Sequence, residues 1–327
     1  MAKKIFITGG AGYVGSMLSK NFLDRGYEVT IFDLFLYGEN VVANQKNLKK
    51  IKGDIRDQKL LSSAIPGHEI VIHLACISND PSFELNPELG KSINFDCFEP
   101  LVKISKDSGV KKFIYASSSS VYGLKKVSNV NEEMNLEPLT DYSKFKAMCE
   151  DILFKHNSKN FVGVILRPAT VCGYSVRQRF DLVVNILCNL AFNKGMITVF
   201  GGEQFRPNIN IKDMIEAYHT CLVSEDNKIN GKIFNVGFEN YKVIELAKMV
   251  KKNFKKNIEL KITETDDNRS YHVSSEKIQR ELNFVPKFTI EDAIIDLIYH
   301  FESNDFSNPL SNEIYFNIKR MQSVRLS

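Results

Sequence analysis

The sequence has few cysteines, and no two of them are spaced as a pair. The six cysteines lie at positions 76, 97, 149, 172, 188 and 221, so CxxC spacing is absent. This absence argues against both a zinc site and a redox dithiol. We therefore predict free, mostly buried thiols in a reducing compartment, and no metal site.

Long apolar runs and clustered charge are also missing. Met1 is followed by Ala-Lys-Lys and a short apolar run, without the apolar core of a signal peptide. No stretch approaches the roughly eighteen apolar residues that a membrane span requires. The net charge of +4 falls short of the clustered charge of a nucleic-acid binder. We therefore predict a cytoplasmic protein that binds neither membranes nor nucleic acid.

Strand-like and helix-like segments alternate along the chain. The predicted strands are 3–8, 28–33, 70–75, 112–117, 161–167, 198–200 and 233–236. The predicted helices are 14–25, 57–64, 87–107, 142–156, 180–193, 211–224, 243–253, 275–282 and 290–301. Continuously apolar strands between helices predict an α/β fold with a Rossmann-type, doubly wound parallel sheet and a smaller C-terminal α/β substrate lobe.

The length of 327 residues exceeds the usual size of a single core. Because the alternation loosens after about residue 170, we predict a nucleotide-binding lobe over 1–170, to which later segments return. Residues 171–303 would form most of the substrate lobe. The polar segment 304–327 is interpreted either as a flexible end or as a docking segment.

A glycine-rich turn joins the first predicted strand to the first predicted helix. Gly9, Gly12 and Gly15 have GxxGxxG spacing, which lets a pyrophosphate approach backbone N–H groups at a helix start. Asp33 ends the next strand, about twenty residues further on, where a carboxylate can accept both ribose hydroxyls. Since that carboxylate would repel a 2′-phosphate, the pattern predicts NAD rather than NADP.

A tyrosine and a lysine lie four residues apart near the start of another predicted helix. This spacing places Tyr142 and Lys146 on the same face. A tyrosine needs a pKa roughly three units below its usual value of about 10 to act as a base at neutral pH. A nearby ammonium and a nicotinamide cation can both lower that pKa. The serines 117–120 follow a strand at the sheet edge that binds ligands in such folds, so a hydroxyl there can hold the substrate oxygen.

Nine motifs, taken together, resemble the extended short-chain dehydrogenase/reductase family in its NAD-dependent nucleotide-sugar epimerase/dehydratase branch. The resemblance covers about residues 3–300. The motifs are TGGAGYVGS (8–16), FDL (32–34), GDIRD (53–57), HLACISNDP (73–81), YASSSSVYG (115–123), YSKFK (142–146), LRPATVCG (166–173), FRPNINIKD (205–213) and RSYHVSSEK (269–277).

The resemblance implies a role for each matching residue. Tyr142 would be the base, Lys146 would hold the nicotinamide ribose and lower the tyrosine pKa, and Ser118 would orient the sugar. Asn94 would support the catalytic helix. The residues expected at the cofactor are Gly9, Gly12, Tyr13, Val14, Gly15, Asp33, Asp54, Ile55, Leu74, Ala75, Cys76, Asn94 and Lys146. Those expected at the nucleotide-sugar substrate are Ser78, Ser118, Ser119, Thr170, Arg179, Asn185, Arg206 and Arg269.

Departures from the family pattern indicate which of the family's reactions to expect. Ser119 and Ser120 stand where related dehydratases and decarboxylases keep acidic residues, so no acid is placed to protonate a leaving hydroxyl. Thr170 and Cys172 differ from residues that many 4-epimerases carry. We predict a 4-epimerase that acts through a transient 4-keto sugar. The alternatives are a C4 dehydrogenase or reductase with net redox change, and a non-catalytic NAD-binding regulatory protein. The family resemblance also implies a homodimer formed through a four-helix bundle, from helices 87–107 and 142–156.

Overall fold

The computed structural model describes residues 3–125, 127, 129–265, 270 and 272–326. The strands β1 to β12 are Lys4–Thr8, Glu28–Asp33, Leu48–Lys52, Ile70–His73, Lys112–Ala116, Val162–Pro168, Thr170–Cys172, Met196–Phe200, Phe205–Asn210, Lys232–Val236, Glu239–Lys242 and Glu259–Thr263. The helices α1 to α13 are Tyr13–Asp24, Gln58–Ala64, Asp80–Phe83, Pro87–Lys91, Phe98–Asp107, Asp141–His156, Val183–Lys194, Ile211–Val223, Asp226–Ile229, Val243–Asn253, Glu276–Leu282, Ile290–Glu302 and Asn317–Ser323. A π-turn at Ser92–Asp96 and 3₁₀ turns at Ser119–Tyr122 and Glu313–Tyr315 complete the helical segments described here.

Seven parallel strands form the central sheet, in the order β10-β6-β5-β4-β1-β2-β3. From β1 the chain continues outward through β2 and β3, and from β4 it continues in the opposite direction. The reversal leaves a crevice at the carboxyl ends of β1 and β4, which is where folds of this kind bind ligands. The predicted α/β, Rossmann-type parallel sheet is confirmed.

The central strands are buried on both faces, and this explains their unbroken apolar runs. Ile5 and Ile7 of β1 pack on one side of the sheet, in the cluster that contains residues of α1 and α8. Phe6 points to the other side and joins residues of α5 and α6. Helices on both faces therefore fix the sheet, and its carboxyl edge remains open.

Two smaller sheets are built from strands in the second half of the chain. β7, β9 and β11 form a three-stranded sheet, and β8 pairs with β12. A third apolar cluster packs α7, α10 and α12 around β8. The strands β3, β7, β11 and β12 were not among the predicted strands, since their side chains are only partly apolar.

The predicted helical segment 87–107 is helical along its length, but it is not one regular α-helix. The segment consists of α4, the π-turn and α5, and the wider π-turn carries Asn94. The Asn94 side chain accepts from the Ile77 backbone N–H at 2.8 Å and donates to the Ile77 carbonyl at 2.9 Å. The break in the helix thus orients a buried amide toward the loop after β4. Such π-turns are common beside functional sites.

The six cysteines are free thiols, and five of them are buried. None of the described helices is both long and apolar enough to cross a membrane.

Candidate active site

A cleft of about 720 Å³ opens at the carboxyl edge of the central sheet. It starts at the crevice beside β1 and extends past the start of α6 to β9. The predicted site residues that line it are Gly9, Gly12, Tyr13, Val14, Gly15, Asp33, Asp54, Ile55, Leu74, Ala75, Cys76, Ser78, Ser118, Ser119, Tyr142, Thr170, Arg179 and Arg206. Arg269 lies outside the described residues. Residues from eight separate motifs therefore share this cleft.

The glycine turn has no room for side chains. Gly9 has a φ of +73°, and a Cβ there would lie 2.6 Å from the backbone nitrogen of Ala75. A Cβ on Gly15 would lie 2.1 Å from the carbonyl oxygen of Gly9. Helix α1 starts at Tyr13 without a side-chain cap or an acidic residue in its first turn. Its N-terminal N–H groups are therefore available to an anion, and this fits the diphosphate of a dinucleotide.

Substituting Gly15 with alanine should disrupt this turn. The overlap with a backbone oxygen cannot be relieved by a side-chain rotation, so we expect a loss of about 1–3 kcal/mol in the free energy of unfolding. Dinucleotide affinity, measured by calorimetry, should fall by at least about tenfold because the helix start must shift away from the diphosphate. Gly237→Ala is the control. The atom nearest to its new Cβ would be the side-chain methyl of Ala169, at 3.1 Å, rather than a backbone atom of the glycine turn. Equal binding by the two variants would contradict this account of the turn.

Asp33 lies at the end of β2 and closes one end of the glycine turn. Its carboxylate accepts from the N–H of Ala11 at 3.0 Å and from the N–H of Phe35 at 2.8 Å. Burial raises the pKa of Asp33, and these two hydrogen bonds oppose the rise. The bonds also fix the carboxylate at the cleft wall, where its remaining lone pairs can accept ribose hydroxyls.

The first turn of α6 carries Tyr142 and is held by a capping box. The Ser143 N–H donates to Thr140 Oγ1 at 3.3 Å, and the Thr140 N–H donates to Ser143 Oγ at 3.2 Å. Tyr142 is 9% exposed and lines the cleft, as does Ser118 in the turn after β5. Two hydroxyls from different elements, the turn after β5 and the start of α6, therefore line the same cleft, and the Ser118 hydroxyl lowers the pKa of the Tyr142 phenol.

Burial has the largest effect on the ionisation of Tyr142. It raises the pKa of the phenol well above its usual value, and negative charge on Cys76 or Asp80 raises it further. The charge of Arg179 and the Ser118 hydroxyl lower this pKa. Arg179 is therefore a cation that acts on the phenol and that the sequence did not indicate, while the effect of Lys146 stays a prediction.

Lys146 is buried directly behind the tyrosine. Its ammonium donates to the carbonyl oxygen of Ala116 at 2.7 Å and lies 5.9 Å from the centre of the Tyr142 ring. The residue is 4% exposed and is not part of the cleft lining. The spacing of four residues places both side chains on one face of α6, as predicted.

Asn94 and Asn185, predicted among the ligand-binding residues, lie in the wall of the cleft. The side-chain amide of Asn94 bonds to the Ile77 backbone, and its backbone carbonyl accepts from the Cys149 thiol of α6, so Asn94 supports this helix as the resemblance implied. Asn185 is fully buried, accepts from the Gly173 N–H at 3.0 Å and donates to the Arg179 carbonyl at 2.8 Å. Each side chain satisfies buried backbone groups, so neither is free to turn toward a ligand.

Arg179 lies in the loop before α7, which begins at Val183 rather than at the predicted residue 180. Its side chain is 7% exposed, forms an ion pair with Asp181 and donates to Ser78 Oγ at 2.9 Å. On the far side of the cleft, Arg206 lies on β9 and Thr170 lies on the paired strand β7. Basic groups therefore stand on two sides of the cleft.

A buried ion-pair network beside α6 was not predicted from the sequence. Arg167 donates to the two carboxylate oxygens of Glu150, at 3.0 Å from Nε and 2.6 Å from Nη2. Ser117 donates to the same carboxylate, and Arg167 Nη1 donates to the Tyr122 hydroxyl at 2.8 Å. One signal was available, because Glu150 follows Lys146 by four residues and so shares its helix face. The network joins α6 to the ends of β5 and β6.

The C-terminal segment also reaches the cleft, although its role was left open in the sequence analysis. Asn317, Met321 and Leu326 contribute to the cleft lining. The Arg320 guanidinium donates to the Leu36 carbonyl in the loop after β2. The segment therefore packs over the crevice end of the cleft.

Comparisons with known proteins agree with this geometry. The family model described as NAD dependent epimerase/dehydratase family matches residues 5–237. UDP-glucose 4-epimerase of Lactobacillus helveticus is 27% identical over 269 residues, which cover 76% of this chain and 81% of that protein. UDP-glucose 4-epimerase 2 of Arabidopsis thaliana is 27% identical over 340 residues, covering 93% and 96%. A dTDP-D-glucose 4,6-dehydratase of Dictyostelium discoideum is 29% identical over 259 residues, covering 72% and 58%.

A solved structure of UDP-glucuronic acid 4-epimerase from Bacillus cereus in complex with NAD superposes with a TM-score of 0.82 at 26% identity, covering 93% of this chain and 99% of that one. Epimerases and a dehydratase thus stand among the similar proteins, and the cofactor common to the family is NAD. The chain is an NAD-using member of the NAD-dependent epimerase/dehydratase family of nucleotide-sugar enzymes.

Proposed function

We propose that the protein is a nucleotide-sugar 4-epimerase that acts through a transient 4-keto sugar. The observation that supports this most is the pair of hydroxyls, Ser118 and Tyr142, which line the same cleft while the Lys146 ammonium lies 5.9 Å from the centre of the Tyr142 ring. Ser119 and Ser120, the positions where related eliminating enzymes carry acids, are serines here. Tyr142 could therefore remove the proton from a sugar hydroxyl, but no acidic residue at positions 119 and 120 could protonate a leaving hydroxyl.

In the proposed mechanism, Ser118 and Tyr142 hold the C4 hydroxyl of the sugar. The ionised phenol takes the proton from that hydroxyl, and the C4–H bond breaks as the C4=O bond forms. NAD held at the glycine turn and Asp33 would supply the redox chemistry, as acceptor and later donor of the C4 hydride, with the ketone turning in the cleft between the two transfers. Tyr142 then gives the proton back to the C4 oxygen, so the net reaction consumes no cofactor.

Arg179 and the bound cofactor have to offset the effect of burial on Tyr142. Burial favours the neutral phenol, whereas a cation close to it favours the phenolate. The pKa effect of Arg179 is in the required direction, and the positive charge of an oxidised nicotinamide would add to it. Lys146, fixed on the Ala116 carbonyl, would hold the ribose beside that ring.

The substrate class is proposed from the similar proteins, whose names specify UDP-glucose and UDP-glucuronic acid. The test is to incubate the protein with a panel of UDP- and dTDP-sugars, and to analyse the products by NMR while following NADH absorbance. We expect interconversion of two C4 epimers with no NADH accumulation. Stoichiometric NADH would favour the C4 dehydrogenase instead, and loss of water would favour a dehydratase.

We also propose a homodimer formed as a four-helix bundle through the helical segment 87–107 and α6 of each subunit. Met148 of α6 is 44% exposed, and the partly buried rings of Phe95 in that segment and Phe145 of α6 stack 5.1 Å apart. An apolar helix face of this kind fits burial against a second copy. Sedimentation velocity should give twice the mass of the chain, and a species at the mass of one chain at micromolar concentration would contradict the proposal.

A further inference from the structure

Arg177 is a buried cation for which the described part of the chain offers no carboxylate at ion-pair distance. The side chain is 4% exposed and lines the cleft. Its guanidinium lies 3.4 Å from the centre of the Tyr37 ring, and Nη2 donates to Asn317 Oδ1 at 2.7 Å. Its Nε has no hydrogen-bond partner. A buried, unneutralised guanidinium is costly, so such a group usually has an anionic ligand as its counterpart.

The position of Arg177 indicates which anion that is. Ser175 donates to the Tyr13 carbonyl at 2.8 Å and contacts Ser16 Oγ at 3.1 Å, so the loop before Arg177 lies on the first turn of α1. The Arg177 N–H donates to Ser175 Oγ at 3.3 Å. At the other side, burial raises the pKa of Asp33, and the charge of Arg177 opposes that rise. Arg177 therefore stands between the ribose-binding carboxylate and the start of α1.

We propose that Arg177 binds the diphosphate of the dinucleotide, opposite the N–H groups of the glycine turn. The N–H groups at the start of α1 and the Arg177 guanidinium, in the loop before α7, would then donate charge-assisted hydrogen bonds to the same diphosphate. Arg179 differs from Arg177 because it is already paired with Asp181. Arg177 is thus a cation next to the glycine turn that has no carboxylate partner in the described part of the chain.

Asn317 makes the C-terminal segment part of this site. Its side-chain oxygen accepts from Arg177 and also from the Tyr37 hydroxyl at 2.9 Å, while its Nδ2 donates to Ser78 Oγ at 3.0 Å. Its backbone N–H donates to Asp181 Oδ2 at 2.9 Å. Asn317 therefore acts as a positioning residue that holds the guanidinium against the ring of Tyr37 and toward the cleft.

The test is calorimetric titration of the dinucleotide-free protein with ADP-ribose, adenosine and uridine diphosphate. Arg177→Met should weaken ADP-ribose binding roughly tenfold to a hundredfold, the range of charge-assisted hydrogen bonds. Adenosine has no diphosphate, so its affinity should change by less than about twofold. Arg177→Lys, which keeps the charge but not the fork, should lose less than Arg177→Met. The matched control is Arg280→Met, because the Arg280 side chain is 69% exposed on α11.

Three results would overturn the proposal. Weakened binding of uridine diphosphate with unchanged ADP-ribose binding would assign Arg177 to the diphosphate of the proposed nucleotide-sugar substrate. Equal loss for adenosine and ADP-ribose would mean that Arg177 only supports the fold. A melting temperature of the ligand-free Arg177→Met protein well below that of the wild type, with unchanged ADP-ribose affinity, would mean the same. Because none of these titrations measures turnover, failure of the proposed epimerase activity would be distinguishable from each of them.

Discussion

Replacing Tyr142 with phenylalanine is expected to lower kcat by about a hundredfold to ten-thousandfold, the usual contribution of a positioned acid–base group. The phenylalanine ring keeps the packing of a side chain that is 9% exposed, so the fold should be retained. What is lost is the hydroxyl that lines the cleft together with Ser118 and that, in the proposed mechanism, takes the proton from the sugar. The measurement is single-turnover conversion of the nucleotide-sugar identified in the panel.

Cofactor content separates this effect from a structural one. Tyr142→Phe should copurify with as much NAD as the wild type, since the glycine turn and Asp33 are untouched. Tyr122→Phe is a useful comparison, because that phenol is buried and bonded to Asn235 and Arg167 away from the reacting hydroxyls. It should lose stability and keep most of its activity. If Tyr142→Phe turns over at the wild-type rate, Tyr142 is not the base.

Replacing Glu150 with alanine should lower the free energy of unfolding by about 3–5 kcal/mol, the range for breaking a buried ion pair from one side. The Glu150 and Arg167 side chains are each 3% exposed, so the remaining guanidinium would be left buried without its carboxylate. Ser117 would lose its acceptor as well. Chemical denaturation followed by circular dichroism measures this loss.

Two further variants test the physical reason for that loss. Glu99→Ala removes a carboxylate whose side chain is 46% exposed and which pairs with Lys103, so it should cost less than about 1 kcal/mol. The double variant Glu150→Leu/Arg167→Met removes both charges and should recover much of the stability lost by Glu150→Ala. If Glu150→Ala and Glu99→Ala lose the same small amount, the network does not stabilise α6.

The features that depend on residues close together in the sequence could be predicted from it. The glycine turn requires glycines at fixed spacing, and the pairing of Tyr142 with Lys146 follows from the helical repeat. The apolar runs of β1 and β4 predicted a parallel sheet because strands covered on both faces need no polar side. The cleft at the carboxyl edge then follows from the topology.

The remaining features depend on contacts between distant segments. Arg177 and Asn317 are 140 residues apart, and only the folded chain shows that one holds the other. The same is true of Glu150 and Arg167, whose pairing depends on how α6 lies against β6. Asn94 and Asn185 have the right residue type for ligand binding, but their amides are used by backbone groups that no sequence pattern reveals.

The cation acting on Tyr142 is a related case. The spacing of four residues suggested Lys146, whose ammonium donates to the Ala116 carbonyl and lies 5.9 Å from the centre of the Tyr142 ring. Arg179 lies in the loop before α7. No sequence pattern indicated its effect on the phenol, because a charge acts through space and its distance from the phenol is set by the tertiary fold.

The most direct test of a reversible oxidation at C4 uses a nucleotide-sugar deuterated at that carbon. The proposed mechanism predicts that each product molecule carries the label at C4 with inverted configuration, while free NADH stays undetectable. Deuterium found at another carbon, in released NADH or in the solvent would contradict it.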